Sequence, residues 1–162
     1  MPLNAQEVVS QFAPALARVV ASYERDRALR DELLQEVLMA IVQALPRLTQ
    51  PEKLKPFVFR IAHNRSLSHV TRRIRERAHE ETGIDADVLT PSQEQAFLQA
   101  ERSGRLLEAI RQLSLPYRQV ITLILEDMSY EEIAETLGIT IENVGVRVNR
   151  AKKQLKERLH HD

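Results

Sequence analysis

Residues 130–155 read "YEEIAETLGITIENVGVRVNRAKKQL", two helix-like stretches hinged at one glycine. In the second, Ile141, Val144, Val148, Ala151 and Leu155 recur every three or four residues. At about 100° per residue they share one side of a helix. The opposite side carries Glu142, Val146, Asn149, Arg150 and Lys153, with Asn143 and Arg147 at its edge. That mixture of hydrogen-bonding, basic and apolar groups is more than a merely solvated helix needs. In the first stretch, Ser129 is followed three residues later by Glu132, the spacing of a capping box. Ile133, Ala134 and Leu137 form its buried stripe, and Gly138 follows where a left-handed backbone costs glycine little. Thr140 can cap the second helix. This grammar predicts a helix-turn-helix whose second helix enters the DNA major groove, with a plain helical hairpin as the alternative.

The rest of the chain is also helical in pattern. Four glycines in 162 residues, many long helix-forming side chains and no sustained alternation predict an all-α protein. Helices are expected at about 5–24, 28–45, 53–76, 92–113, 116–127, 130–137 and 141–158, with Pro46, Pro51 and Pro56 marking the passage into the third. Pro116 suits a first turn, and Val120, Ile121, Ile124 and Leu125 would form that helix's packing surface. The polar, acidic stretch "HEETGIDADVLTPSQ" reads as a connector. Two small helical bundles result, spanning 1–78 and 94–162 and joined by an acidic linker at 79–93.

Composition narrows the function. With no cysteine, disulfides, thiolate metal sites and thiol redox switching are excluded. No apolar run approaches the roughly 18 residues that span a membrane, and the first residues lack a secretory signal's order, so no membrane insertion and a cytoplasmic location are expected. The net charge is zero but segregated: seven Lys or Arg and one acid in 55–79, six acids and no Lys in 80–101, six bases and one acid in 147–158. Two basic blocks around an acidic stretch suit two nucleic-acid contacts and a connector. Zero net charge implies weak nonspecific DNA affinity for the chain alone.

Two N-terminal segments carry further chemistry. In "DELLQEVLMAIVQAL", 31–45, an apolar stripe of Leu34, Val37, Leu38, Ile41, Val42 and Leu45 accompanies an acidic start. Asp31 and Glu32 suit a helix N-terminus, but Gln35 and Glu36 extend the polar face beyond capping, so a docking surface for a basic partner stands level with the capping reading. The basic segment 55–77 holds Phe57 and Phe59, two of only seven aromatics. Aromatics among Arg and Asn suit unstacked bases, whereas a core helix with a solvated basic face is the plainer account, and the better one for Phe59. His63, His69 and His79 have no metal-pair spacing, and nothing resembles a phosphate loop or a nucleophile with its base. No catalytic residue, cofactor or metal is expected.

Three segments in order resemble a bacterial extracytoplasmic-function (group IV) RNA polymerase sigma factor of the sigma-70 family: "RDELLQEVLMAIVQAL", "FVFRIAHNRSLSHVTRR", and "LPYRQV" through "KERL" near the end. The resemblance implies a region 2-like domain, a linker and a region 4-like helix-turn-helix domain, acting without enzymatic activity. Core RNA polymerase (its β′ clamp helices and β flap), promoter DNA and an anti-sigma factor are the implied partners. Asp31, Glu32, Gln35 and Glu36 fall in the segment that docks on the β′ clamp helices. Phe57, Arg60, Asn64, Arg72 and Arg73 fall in the −10 binding and melting segment, and Asn143, Val146, Arg147, Asn149, Arg150 and Lys153 in the −35 helix. The chain departs from the family pattern in lacking tryptophan, with Phe57 in the usual place of one, and in Ser68, Gly145 and Val146. A stand-alone helix-turn-helix regulator with a sensing or dimerising N-terminal bundle is the rival, and a DNA-free adaptor a third.

Overall fold

Prolines and capping side chains set most helix boundaries. The computed structural model describes residues 3–79 and 101–160, except the side chains of 79 and 101–103. Among these residues are seven α-helices, two short 3-10 turns and no strand. Helix α1, Ala5–Tyr23, starts at Asn4, whose side chain accepts from the amides of Gln6 and Glu7. Helix α2, Arg27–Ala44, starts at Asp26, which accepts from the amide of Leu29. Pro46 and Pro51 lie in the 3-10 turns Leu45–Arg47 and Pro51–Lys53. Helix α3, Leu54–His79, follows and takes in the first residue of the expected linker. The remainder of that linker, and the start of the helix expected from 92, lie outside the described residues.

In the N-terminal bundle, Leu16, Leu33, Val37, Ile41, Val58 and Phe59 are buried almost completely. Phe12 meets Phe59 edge to face, ring centroids 6.0 Å apart. The plainer reading of Phe59 therefore holds: it is a core residue. The α2 stripe is rotated from the expected one, with Leu33 inside and Val42 41 % exposed. Leu33, Val37 and Ile41 repeat at a strict four-residue spacing, and Val42 lies about 100° beyond them.

The second bundle comprises α4 (Glu101–Arg111), α5 (Leu115–Leu125), α6 (Tyr130–Leu137) and α7 (Ile141–His160). Four consecutive residues of α5, Val120 to Leu123, are buried, so neighbours cover this helix on several sides, not along one stripe. Leu125, expected inside, ends the helix and is 52 % exposed. Ile141 begins α7 and is likewise half exposed, whereas Val144, Val148, Ala151 and Leu155 are buried as expected. The Ser129–Glu132 capping box forms in both directions. Gly138 has φ +70°, in the left-handed region, and Thr140 Oγ1 accepts from the Asn143 amide at 3.1 Å.

The two bundles are packed together. Arg18 forks onto Glu126 at 2.7 and 2.8 Å, Arg25 pairs with Glu108, and Arg111 Nε donates to the Ala21 carbonyl at 2.9 Å. Helix α6, the first of the helix-turn-helix, lies on α3. Lys53 reaches Glu135 at 2.5 Å, and Lys55 reaches Glu132 at 3.7 Å. Arg60 donates to the carbonyls of Glu135 and Thr136. Those carbonyls belong to the last turn of α6, where acceptors lack helical partners and the dipole favours a cation.

Candidate nucleic-acid interface

Each face of α7 has a separate task. Its inner face is held by α4, α5 and α6, so rotation about its axis is fixed. The outer face then presents Asn143, Val146, Asn149, Arg150 and Lys153 to solvent, with Arg147 half-buried beside them. Val146 is 46 % exposed and adds a methyl surface to this polar face. Arg150 and Lys153 form no ion pair with any described residue. The helix thus carries an open set of amide, guanidinium, ammonium and methyl groups, the groups that contact base edges and phosphates.

The residues expected on the −10 side are dispersed along α3. Phe57 is half-buried and packs on the core, while Asn64 and Arg72 are exposed. Arg60 is spent on the α6 carbonyls. Arg73 Nε donates at 3.0 Å to Glu24, whose other neighbour is the buried His69 at 2.8 Å. Burial would raise the Glu24 carboxyl pKa, but the Asp26 amide, His69 and Arg73 outweigh it and hold the group below its ordinary range. Asn64 opens onto a cavity of about 250 Å³ lined also by Gln43, Arg47, Ile61 and Arg65. The sequence reading missed Gln43, Arg47 and Arg65. The one available signal was Pro46, which turns the chain so that the end of α2 faces α3.

On α2, Asp31, Glu32 and Gln35 are exposed, and Glu36 is half-buried with Arg65 at 3.4 Å. Met39, 64 % exposed, and Val42 continue this face as an apolar strip beside the acids.

His63 is wholly buried at the joint between the bundles. Its Nδ1 lies 2.6 Å from the Tyr23 hydroxyl and its Nε2 3.5 Å from Thr122 Oγ1. Thr122 donates to the Gln119 carbonyl, so the consistent roles are Tyr23 O–H to Nδ1, and Nε2–H facing Thr122. Burial pushes the imidazole pKa down to about 3, and burial likewise pushes the Tyr23 phenol up. His63 is a neutral structural residue. Among the described residues, no three His, Cys, Asp or Glu are grouped to hold a metal.

A three-helix bundle with an exposed acidic face and a basic helix, followed by a helix-turn-helix with an open outer face, is the arrangement of a sigma-type initiation factor. The Sigma-70 region 2 family model matches residues 8–76, and the Sigma-70 region 4 model matches residues 103–155. The chain belongs to the sigma-70 family, among its extracytoplasmic-function members. It is 28% identical over 160 residues to the RNA polymerase sigma factor SigZ of Bacillus subtilis, covering 97% of this chain and 88% of that one. It is 28% identical over 156 residues to the ECF RNA polymerase sigma factor SigE of Mycolicibacterium smegmatis, covering 94% of this chain but only 60% of that protein. In fold it is similar to the sigma factor RpoE of Bartonella quintana, solved in complex with the anti-sigma factor NepR: TM-score 0.75, 24% identity, 97% of each chain covered. It functions as an alternative sigma factor that binds core RNA polymerase and directs it to promoter DNA. The stand-alone regulator is not favoured.

Proposed function

We propose that the exposed acids of α2 hold the polymerase, that the Asn64 cavity takes an unstacked base of the −10 element, and that the outer face of α7 reads the −35 element. Residues 1–78 would then act on core enzyme and the −10 element, 94–162 on the −35 element, with 79–93 between. The observation that carries this reading is the open face of α7: hydrogen-bonding and cationic groups left without protein partners on a helix whose other face is locked. The cavity beside Asn64 supports the −10 assignment. It is polar at Gln43 and Asn64, cationic at Arg47 and Arg65, and apolar at Ile61, a lining suited to a base and its phosphate. Phe57 and Arg72 would flank the opened strand. The fold shared with a sigma factor held by an anti-sigma factor supports the same kind of regulation here. The site of action is the cytoplasm, and the phosphodiester chemistry is the polymerase's own.

Reconstitution with core polymerase, followed by sequencing of the transcripts, tests the whole reading. Transcripts starting downstream of a shared pair of elements are expected; no promoter selection would overturn it. Charge reversal of Asp31 and Glu36 together should weaken core binding by a few kcal/mol where the acids become desolvated, with helical content retained. Unchanged affinity in the folded double variant would remove the docking role.

A further inference from the structure

One contact between the bundles falls on the face of α3 that the −10 reading needs. Phe57, Arg60 and Asn64 stand three and four residues apart, so they share a side of that helix. Helix α6 rests against its N-terminal half. Arg60 gives Nε to the Thr136 carbonyl at 3.2 Å and a second guanidinium N–H to the Glu135 carbonyl. Shortly before it in the chain, Lys53 reaches the Glu135 carboxylate at 2.5 Å and Lys55 the Glu132 carboxylate at 3.7 Å. Three cations of the N-terminal bundle are thus met by oxygens of one short helix.

What α6 offers these cations is what a nucleic-acid strand would offer them. Its sequence, "YEEIAETL", has three carboxylates and no basic residue, and its last carbonyls carry the negative end of the helix dipole. Lys and Arg take phosphate oxygens through the same charge-assisted bonds. The contact is also reversible in character. The side chains of Lys53, Lys55, Glu132 and Glu135 all remain partly exposed, and ion pairs open to water are individually weak and screened by salt.

We propose that α6 is an internal competitor for single-stranded nucleic acid: Lys53, Lys55 and Arg60 form the phosphate-binding edge of the −10 face, and α6 occupies that edge in the free chain. The proposal rests on the −10 reading of Phe57 and Asn64 and extends it to Lys53 and Lys55. A strand binds only the fraction of chains in which α6 has let go, and its apparent affinity falls by that fraction. The free chain therefore holds stray single strands weakly. A partner that draws α6 away uncovers the three cations beside the Asn64 cavity, so access to the strand is coupled to the parting of the bundles.

The test uses the full free chain and an end-labelled pool of random single-stranded DNA about 12 nucleotides long, with affinity read by fluorescence anisotropy. Glu132→Gln with Glu135→Gln removes both carboxylates, while glutamine still serves the capping box at Ser129. This pair should tighten binding about fivefold. Glu7→Gln with Glu157→Gln changes the net charge equally at exposed residues outside the contact, and should tighten binding less than about twofold. Adding Asn64→Ala to the first pair should abolish its gain. A gain no larger than the control pair's overturns the competitor and leaves the −10 reading standing, because premelted promoter templates with polymerase test that reading separately. A gain that survives Asn64→Ala puts the strand elsewhere and overturns both. One measurement needs no substitution: carbodiimide should join Lys53 to Glu135 directly in the unaltered chain, and the DNA pool should suppress that cross-link saturably and severalfold. A cross-link yield indifferent to DNA also overturns the proposal.

Discussion

The two basic helices are left in opposite states by the same fold. Helix α7 has an open outer face, with Arg150 and Lys153 paired to no described residue. Helix α3 has several of its cations engaged: Arg60 on the end of α6, Arg65 near Glu36, Arg73 on Glu24. Both segments are basic in sequence, so composition does not separate them. What separates them is packing, because α6 rests on α3 whereas no described residue rests on the outer side of α7. A basic helix can thus keep its cations open or spend several of them on packing, and here the same chain does each once.

The sharpest break in that comparison comes from two phenylalanines on α3. Phe59 is 1 % exposed and meets Phe12, so Phe59→Ala should cost about 3–5 kcal/mol in chemical denaturation. Phe57 is half-buried, and Phe57→Ala should cost clearly less and leave a folded protein. That protein can then be compared on duplex and premelted −10 templates, where partial rescue by the bubble is expected from lost base stacking.

On the open helix the expected loss is in binding, with stability unchanged. Arg150→Ala should weaken promoter complexes by about 1–3 kcal/mol and relax preference at one −35 position, as loss of a bidentate base contact does. Lys153→Ala should weaken all sequences alike and reduce the salt dependence by about one phosphate contact. Selection of −35 sequences with each variant distinguishes the two. If neither substitution alters affinity or preference, the outer face of α7 is not a reading surface.

Acid should act on the joint and spare the open face. His63 is neutral in the folded chain with its pKa near 3, against 6.5 when unfolded. As pH falls below 6.5 the unfolded chain gains a proton that the folded chain does not, so stability falls, by about 1.4 kcal/mol per pH unit until the folded pKa is reached. The Glu24 contribution is lost only below about 4.5, because its folded pKa is lowered from that value. The window from pH 6.5 to 4.5 therefore separates the His63 contribution from that of Glu24. Denaturation across it should show this slope, and His63→Gln should flatten it.

The smallest effect concerns Gly145, inside α7. A Cβ there would lie 3.6 Å from Tyr130 Cε2, an ordinary contact. Gly145→Ala should raise stability by about 0.5–1 kcal/mol through helix propensity, seen as a higher Tm. A fall in Tm would show that helix propensity does not decide the outcome at this position.

The helix-turn-helix was the most legible part of the sequence because its determinants are local. Ser129, Glu132, Gly138 and Thr140 act on neighbours within four residues, and each does in the structure what its spacing predicts. The inner stripe of α7 was readable for the same reason. Contacts between remote partners were not legible. Arg60 and Glu135 are 75 positions apart, and no periodicity links them. Leu33 and Leu123 are buried because helices cover α2 and α5 from directions that one-sided stripes do not report. The candidate −10 residues share that difficulty. Asn64 stands out by type, but the cavity beside it depends on Gln43 and Arg47 arriving from another helix.

Arg60 grips α6 by main-chain oxygens of Glu135 and Thr136, not by side chains. That choice of acceptor has an evolutionary consequence. Main-chain carbonyls survive nearly every substitution, so this hold on the helix-turn-helix persists whatever side chains line its surface. Residues that read promoters can therefore diversify without renegotiating how the bundles meet. Loss of the hold, by contrast, needs a change on the N-terminal side, at Arg60 itself. Promoter preference and domain packing are in this respect separately heritable traits of one small protein.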